Sequence, residues 1–385
     1  MFIRYIEYAQ WENEPYSWRL EDCTLDNINL IVGKNASGKT MALNIVGNLG
    51  HLLAGERKPF ASGNYKLVEF EKDSSEIKYI LDCEMGKVVS ESLDIGAENR
   101  LERGMDGSGL IYYQEEQRKI RFQAPENEVA AFARRDTIQH PFLEDLYDWG
   151  KSVRHYYFGK TLGQDHLAVF LKAQEKETER IIDPKDINSV VTIFKSGRDQ
   201  FGESFLDPII SDMREVGYDL NDIGIAPMKG VTIEGPVPAG EVFGMYAKES
   251  DLNDVTNQKD MSQGMFRALS LITQLTYSQM MGKPLCILVD DIGEGLDYDR
   301  SSALIRLLIR KVENSSSQLI MTTNDRFVMN NVPLRFWSIV HRTGNVCRMF
   351  NYRNARKMFE AFEVTGLSNF DLFSSEFFLK DFGEN

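Results

Sequence analysis

Three rhythms of apolar and polar positions divide the chain. Short β-branched and aromatic runs at Phe2 to Tyr8, Ser17 to Leu20 and Asn27 to Val32 predict strands. The last of them runs into a glycine-bearing loop and then into TMALNIVGNLGHLL, whose apolar positions have helical spacing. From Tyr65 to about Phe122 apolar and polar residues alternate between the turn stretches EKDSSE, DIGAEN and RGMDGSG, which predicts an antiparallel layer. Between about Ala124 and Asn221 the spacing becomes helical in EVAAFARR, HPFLEDLYDWGKSV, HLAVFLKAQEKETERII and FGESFLDPIISDMREVG. No heptad pattern persists there, so the expectation is a helical insertion without a long coiled-coil arm. From Met261 to Met321 helical and strand-like runs alternate as βαβ units do, predicting a parallel sheet buried on both faces. The expected fold class is α/β, a mixed sheet flanked by helices with a helical insertion.

The glycine-bearing loop carries the clearest chemistry. Gly33 to Thr40 reads GKNASGKT, the pattern G-x-x-x-x-G-K-[ST], after one predicted strand and at the start of a predicted helix. Gly33 and Gly38 let the backbone N–H groups of Lys34, Asn35, Ala36 and Ser37 turn inward around phosphate oxygens. Lys39 brings a positive charge to the β and γ phosphates, and Thr40 offers a hydroxyl to Mg²⁺. The expected ligands are ATP and Mg²⁺. A plain glycine-rich turn is the alternative, and the flanking strand and helix weigh against it.

A P-loop magnesium also needs a carboxylate from a neighbouring strand. LCILVDD supplies one at its end, where open α/β sheets bind ligands, so Asp290 is expected to reach the metal. Asp291 points the other way if the strand continues, and is the candidate for orienting the attacking water. Either aspartate could instead serve only the turn that begins at IGEG.

MSQGMFRALS, Met261 to Ser270, has Ser262, Gly264 and Arg267 at S-x-G-x-x-R spacing and resembles the signature motif of the ABC-type ATPases. Ser262 by itself reads equally as an ordinary helix N-cap. The resemblance implies that Ser262 and Gly264 bind the γ-phosphate held by a second subunit. It makes GEGLD a D-loop with Asp297 near the dimer seam, and puts Asn324 where the family carries its switch histidine. An Asn can hydrogen-bond a phosphate or a water but cannot carry the imidazolium charge. Gln114 and Gln123 are the two candidates for the Q-loop. Asp291 stands where the family usually has glutamate, one methylene longer, so slow hydrolysis and a long-lived ATP state are expected.

The insertion between Lys39 and Ser262 is longer than in transporter ATP subunits and shorter than in SMC proteins. It resembles the RecF-like ATPases and the AAA-type ATPases related to the overcoming-lysogenization-defect proteins. The resemblance implies a two-lobed head: an N-terminal lobe over 1–123, the insertion over 124–250, a C-terminal lobe over 251–345 and a terminal segment over 346–385. It also implies head-to-head self-association, and a role as the ATPase or sensor of a bacterial anti-phage system with a separate effector such as a nuclease. A RecF-like DNA-repair ATPase is the alternative; an ABC transporter subunit fits less well, and a catalytically idle nucleotide-dependent scaffold is kept open by Asn324 and Asp291.

Composition narrows the partners. Of 385 residues, 58 are Asp or Glu against 44 Lys or Arg, a net charge of −14, which opposes non-specific attraction to nucleic acid or an anionic membrane. Basic groups at Arg118, Lys119 and Arg121, at Arg134 and Arg135, and at Arg353, Arg356 and Lys357 are short, and are expected to be surface or ion-paired. The 4 cysteines and 5 histidines show no metal-ligand spacing. The charged N-terminus and the lack of a long apolar run give no export signal or membrane span, so a cytoplasmic protein is expected. Among the aromatic residues Tyr5, Tyr8, Trp11 and Trp18, core packing is expected for most, with an adenine-stacking role open.

Overall fold

The computed structural model describes residues 1–12, 14–170, 186–228 and 241–380. The chain folds into two compact units, each assembled from separate stretches. The first comprises residues 1–153, 285–288 and 312–385; the second, 154–284 and 289–311.

In the first unit a mixed sheet begins with the opening residues of Cys286–Asp290, followed by Gln318–Thr323, Ile28–Val32, Trp337–Thr343, Val346–Asn351, Trp18–Thr24 and Phe2–Gln10. It continues as the meander Ser62–Lys72, Ser75–Glu84, Lys87–Ile95, Glu98–Arg103, Ser108–Tyr113 and Arg118–Gln123. The meander is antiparallel throughout, as its alternation predicts. Ile28–Val32 is buried along its whole length and pairs in parallel with both neighbours. Such a strand has helix or sheet on both faces, which is why its sequence does not alternate.

Helix Lys39–Leu53 presents Ala42, Leu43, Ile45, Val46, Leu49 and Leu52 to the core, and the buried Tyr65 hydroxyl donates to Ile45 O at 2.9 Å. Helix Phe142–Ser152 packs beside it across a glycine pair. A Cβ on Gly150 would stand 2.7 Å from Gly50 O, so only glycine permits this approach. Trp149 closes the layer edge-on to Phe70 at 4.8 Å.

In the second unit helices Val190–Phe201, Glu203–Glu215 and Gln263–Met280 pack together through Phe194, Phe205 and Tyr277. A small sheet has Glu241–Glu249 between Ala168–Phe170 and Leu220–Pro227. The insertion, expected to be helical, carries these strands beside its helices. HLAVFL has helical spacing, yet Ala168–Phe170 is extended because it pairs with Glu241–Phe243. The rest of that stretch, to Ile182, lies outside the described residues. Conversely, VVTIFKSGRDQF forms a helix despite its β-branched start.

Candidate functional site

The phosphate loop is built at the C-terminal end of the buried strand Ile28–Val32. Gly33 has no room for a side chain: a Cβ there would stand 2.4 Å from Ser37 Oγ and 2.8 Å from Val340 O. Ala36 and Gly38 hold left-handed backbone, with φ of 62° and 105°, and this turns successive N–H groups inward as an anion nest. Lys39 is 6% exposed and its ammonium donates to Gly33 O at 2.9 Å and Lys34 O at 3.2 Å, so the loop wraps its own cation. The helix that follows carries no acidic residue in its first turn, leaving its N-terminal dipole uncompensated. Ser37, 5% exposed, has an Oγ with no hydrogen-bond partner among the described residues. Thr40 is exposed at the helix start. An orphaned hydroxyl, inward amides and a folded-in lysine fit a polyphosphate.

Asn324 follows the strand Gln318–Thr323, whose Thr323 is in parallel register with Val32. Asn324 and Gly33 therefore leave the sheet side by side, and Asn324 is exposed at the mouth of the loop. Asp325 then caps helix Arg326–Asn331, accepting from Phe327 N at 2.7 Å. The backbone after Asn324 is thus fixed by a cap one residue downstream.

The remaining candidates belong to the second unit. Asp290 is the last residue of its strand and 7% exposed; its carbonyl accepts from Phe158 N at 2.9 Å. Asp291 does not continue the strand. Its φ is 54°, so the chain turns left-handed there, correcting the expectation that it points oppositely on a continuing strand. Aspartate tolerates that backbone better than glutamate does, which gives a local reason for the shorter acid at this position.

Ser262 caps helix Gln263–Met280, its Oγ accepting from Met265 N at 3.2 Å. A Cβ on Gly264 would stand 2.5 Å from Gly295 O, so the signature glycine lets the Gly293–Asp297 loop lie against the helix start. Arg267, 6% exposed, ties these parts together. It donates to Glu294 O at 2.8 Å, Lys160 O at 2.9 Å and Gly159 O at 3.2 Å. Asp297 accepts from Arg300 N at 2.9 Å and pairs with its guanidinium at 2.7 Å; the backbone bond first, then the cation, hold its carboxyl below the usual range.

Gln114 and Gln123 are both exposed in the meander, and the Gln123 amide donates to Asp106 O at 2.7 Å. Sequence reasoning missed the loop after Val153–Tyr157, which supplies Gly159 and Lys160 to Arg267 and Leu162 O to Ser270 at 2.8 Å. The buried Gln258 amide holds the same loop through Gly163 O, Gln164 O and His166 O. Glycines in FGKTLGQ are the only local hint. Of the N-terminal aromatics, Tyr8 is core, packed on Tyr65 at 5.0 Å, and the Trp18 ring lies 3.1 Å from where a Gly38 Cβ would stand. Four of the flagged basic residues are ion-paired: Arg118 with Glu116, Arg135 with Glu144, Arg353 with Asp26, Arg356 with Glu360.

A nest-forming loop between a buried parallel strand and a helix, a serine-capped S-x-G-x-x-R helix and a glycine loop packed on it define a P-loop ATPase-type domain. Residues 28–330 match the family described as "AAA domain, putative AbiEii toxin, Type IV TA system", and the chain belongs to that family. No curated protein matches it in sequence. Among solved structures, an Smc head bound to the C-terminal winged-helix domain of ScpA aligns with 12% identity and a TM-score of 0.49, covering 90% of this chain and 97% of that one. The SMC head of Thermotoga maritima aligns with 12% identity and a TM-score of 0.44, over 91% and 99% of the two chains. An Smc head with an extended coiled coil, bound to the C-terminal domain of ScpA and derived from Pyrococcus furiosus, gives 12% and 0.43, over 93% and 99%. No helix among the described residues is long and apolar enough to cross a membrane.

Proposed function

We propose that this ATPase-family chain is a slow switch. ATP and Mg²⁺ bind through Gly33–Thr40 and Asp290, two copies associate head to head through Ser262, Gly264 and Asp297, and hydrolysis with Asp291 as water-orienting base releases them. The observation that carries the reading is the loop already folded around Lys39, with Ser37 Oγ unpartnered and Asn324 beside Gly33. Slow turnover rests on Asp291 being the short acid and on Asn324 lacking an imidazole. In the cell the switch serves as the ATPase or sensor of an anti-phage system, its output left to a separate effector such as a nuclease. The ion-paired basic residues and the charge of −14 favour this over a DNA-binding ATPase.

Phosphate release from Mg·ATP by the unsubstituted chain and by Lys39→Ala tests it, with and without DNA. Turnover that needs Lys39 and ignores DNA is expected. Turnover equal in both chains removes the reading, and steep DNA stimulation replaces it with the DNA-repair alternative.

A further inference from the structure

The first half of the phosphate loop has a neighbour that the motif does not foresee. The C-terminal segment folds as helix Asn369–Ser374, whose N-cap Ser368 forms a capping box with Asp371, followed by the single turn Phe377–Leu379. It is clamped at both ends. Asn369 donates to Val332 O at 2.9 Å and Phe370 N donates to Asn330 Oδ1 at 2.8 Å, on the helix that follows Asn324. Glu376 pairs with Lys34, the second residue of the phosphate loop. Between these clamps lies a cavity of about 390 Å³, lined by Lys34, Ser37, His341, Arg342, Phe373 and Phe378 among others.

That volume falls in the range of small-ligand sites, and its composition is specific. Phe378 is buried and meets the His341 ring at 5.7 Å, while Phe373 is half-buried, so aromatic surface faces the loop. Arg342 reaches Ala36 O at 3.4 Å, and the unpartnered Ser37 Oγ lines the same space. Aromatic rings beside a guanidinium, directly continuous with a phosphate nest, suit a flat nitrogenous ring joined to a sugar phosphate.

We infer that this cavity receives the base and ribose of the nucleoside triphosphate, with Phe373 and Phe378 of the C-terminal segment as its stacking wall and Arg342 as its polar edge. The inference rests on the reading of Gly33–Thr40 as an ATP loop and adds that the nucleoside is recognised by the end of the chain. Stacking on one ring changes affinity by roughly tenfold when the ring is removed.

The test compares two probes by calorimetry on the full chain, Mg·ATP and inorganic tripolyphosphate with Mg²⁺. The second carries the phosphates without the base. Phe373→Ala should weaken ATP about tenfold and leave tripolyphosphate within about twofold. Phe373→Trp, which keeps a stacking ring, should bind ATP as the unsubstituted chain does, with a fluorescence change, after subtraction of the unsubstituted chain's own response (Trp18 lies against Gly38), on ATP and not on tripolyphosphate. Unchanged ATP affinity in Phe373→Ala overturns the inference, and so does equal weakening of both probes, because the segment would then only order the loop. A fluorescence change with tripolyphosphate alone also counts against it. If Phe373→Ala does not fold, the Phe373→Trp signal decides by itself. Should neither probe bind in a Lys39-dependent way, the ATP reading itself has failed, a result separable from the others.

Discussion

Asp291 ties a backbone constraint to a chemical one. At φ 54° a longer, unbranched acid gains reach toward a water but loses the local tolerance that aspartate has for left-handed backbone. Asp291→Glu should therefore cost about 1 kcal/mol of stability while raising turnover, measured as Tm and phosphate release on the same preparation. Unchanged or slower release would remove Asp291 from the water-orienting role. Asp291→Asn keeps the backbone preference, so its Tm should hold while turnover falls by roughly a hundredfold or more. The paired acids were legible, as a local pattern after an apolar run. The turn was not, because nothing in DDIGEG says which residue takes positive φ. Arg267 shows the same limit: its spacing marked the motif, whereas its three carbonyl acceptors come from stretches far apart in sequence. Arg267→Ala should destabilise by about 2–3 kcal/mol in urea unfolding, and Arg267→Lys should recover only part, since an ammonium lacks the planar fork.

At the scale of elements, helix Gln263–Met280 and the Gly293–Asp297 loop pack directly together only while Gly264 stays small. In an open helix Gly→Ala stabilises by up to about 1 kcal/mol. Here the added methyl stands 2.5 Å from Gly295 O and 2.8 Å from Leu296 Cδ2, so Gly264→Ala should instead destabilise by about 1–3 kcal/mol. A gain in Tm would show that the loop yields freely. The C-terminal segment gives a pH dependence with a definite sign. The bond from Lys34 holds the Glu376 carboxyl below its ordinary 4.5, so this contact favours docking above that value and is lost as pH falls through the depressed one. The amide protection factors over Phe377–Leu379, with the intrinsic pH dependence of exchange divided out, should fall on acidification in the unsubstituted chain, and Glu376→Gln should already be less protected at neutral pH with a flatter profile. Alternation made the meander legible and uninterrupted apolar runs marked the parallel strands, because each reports how many faces are covered. The strand at Ala168–Phe170 and the interleaving of the two units depend on partners distant in sequence, which periodicity does not carry.

For the whole molecule, self-association and nucleic-acid binding respond oppositely to salt. Two chains of charge −14 repel, and added salt screens that repulsion, whereas contacts to phosphodiesters weaken as counterions return. Light scattering on Asp291→Asn with Mg·ATP should show a doubled mass, held or strengthened from about 50 to about 200 mM salt. Ser262 separates its two roles in the same assay. Its Oγ caps the signature helix, so Ser262→Ala loses about 1 kcal/mol from the cap and confuses stability with association. Asn and Asp cap as well as serine does. Ser262→Asn should keep both Tm and a good part of the association. Ser262→Asp should keep Tm but abolish the ATP-dependent dimer, because its carboxylate would face the partner-held γ-phosphate. If Ser262→Asp still dimerises with ATP, the serine is only a helix cap, and the association, if any, runs through another surface.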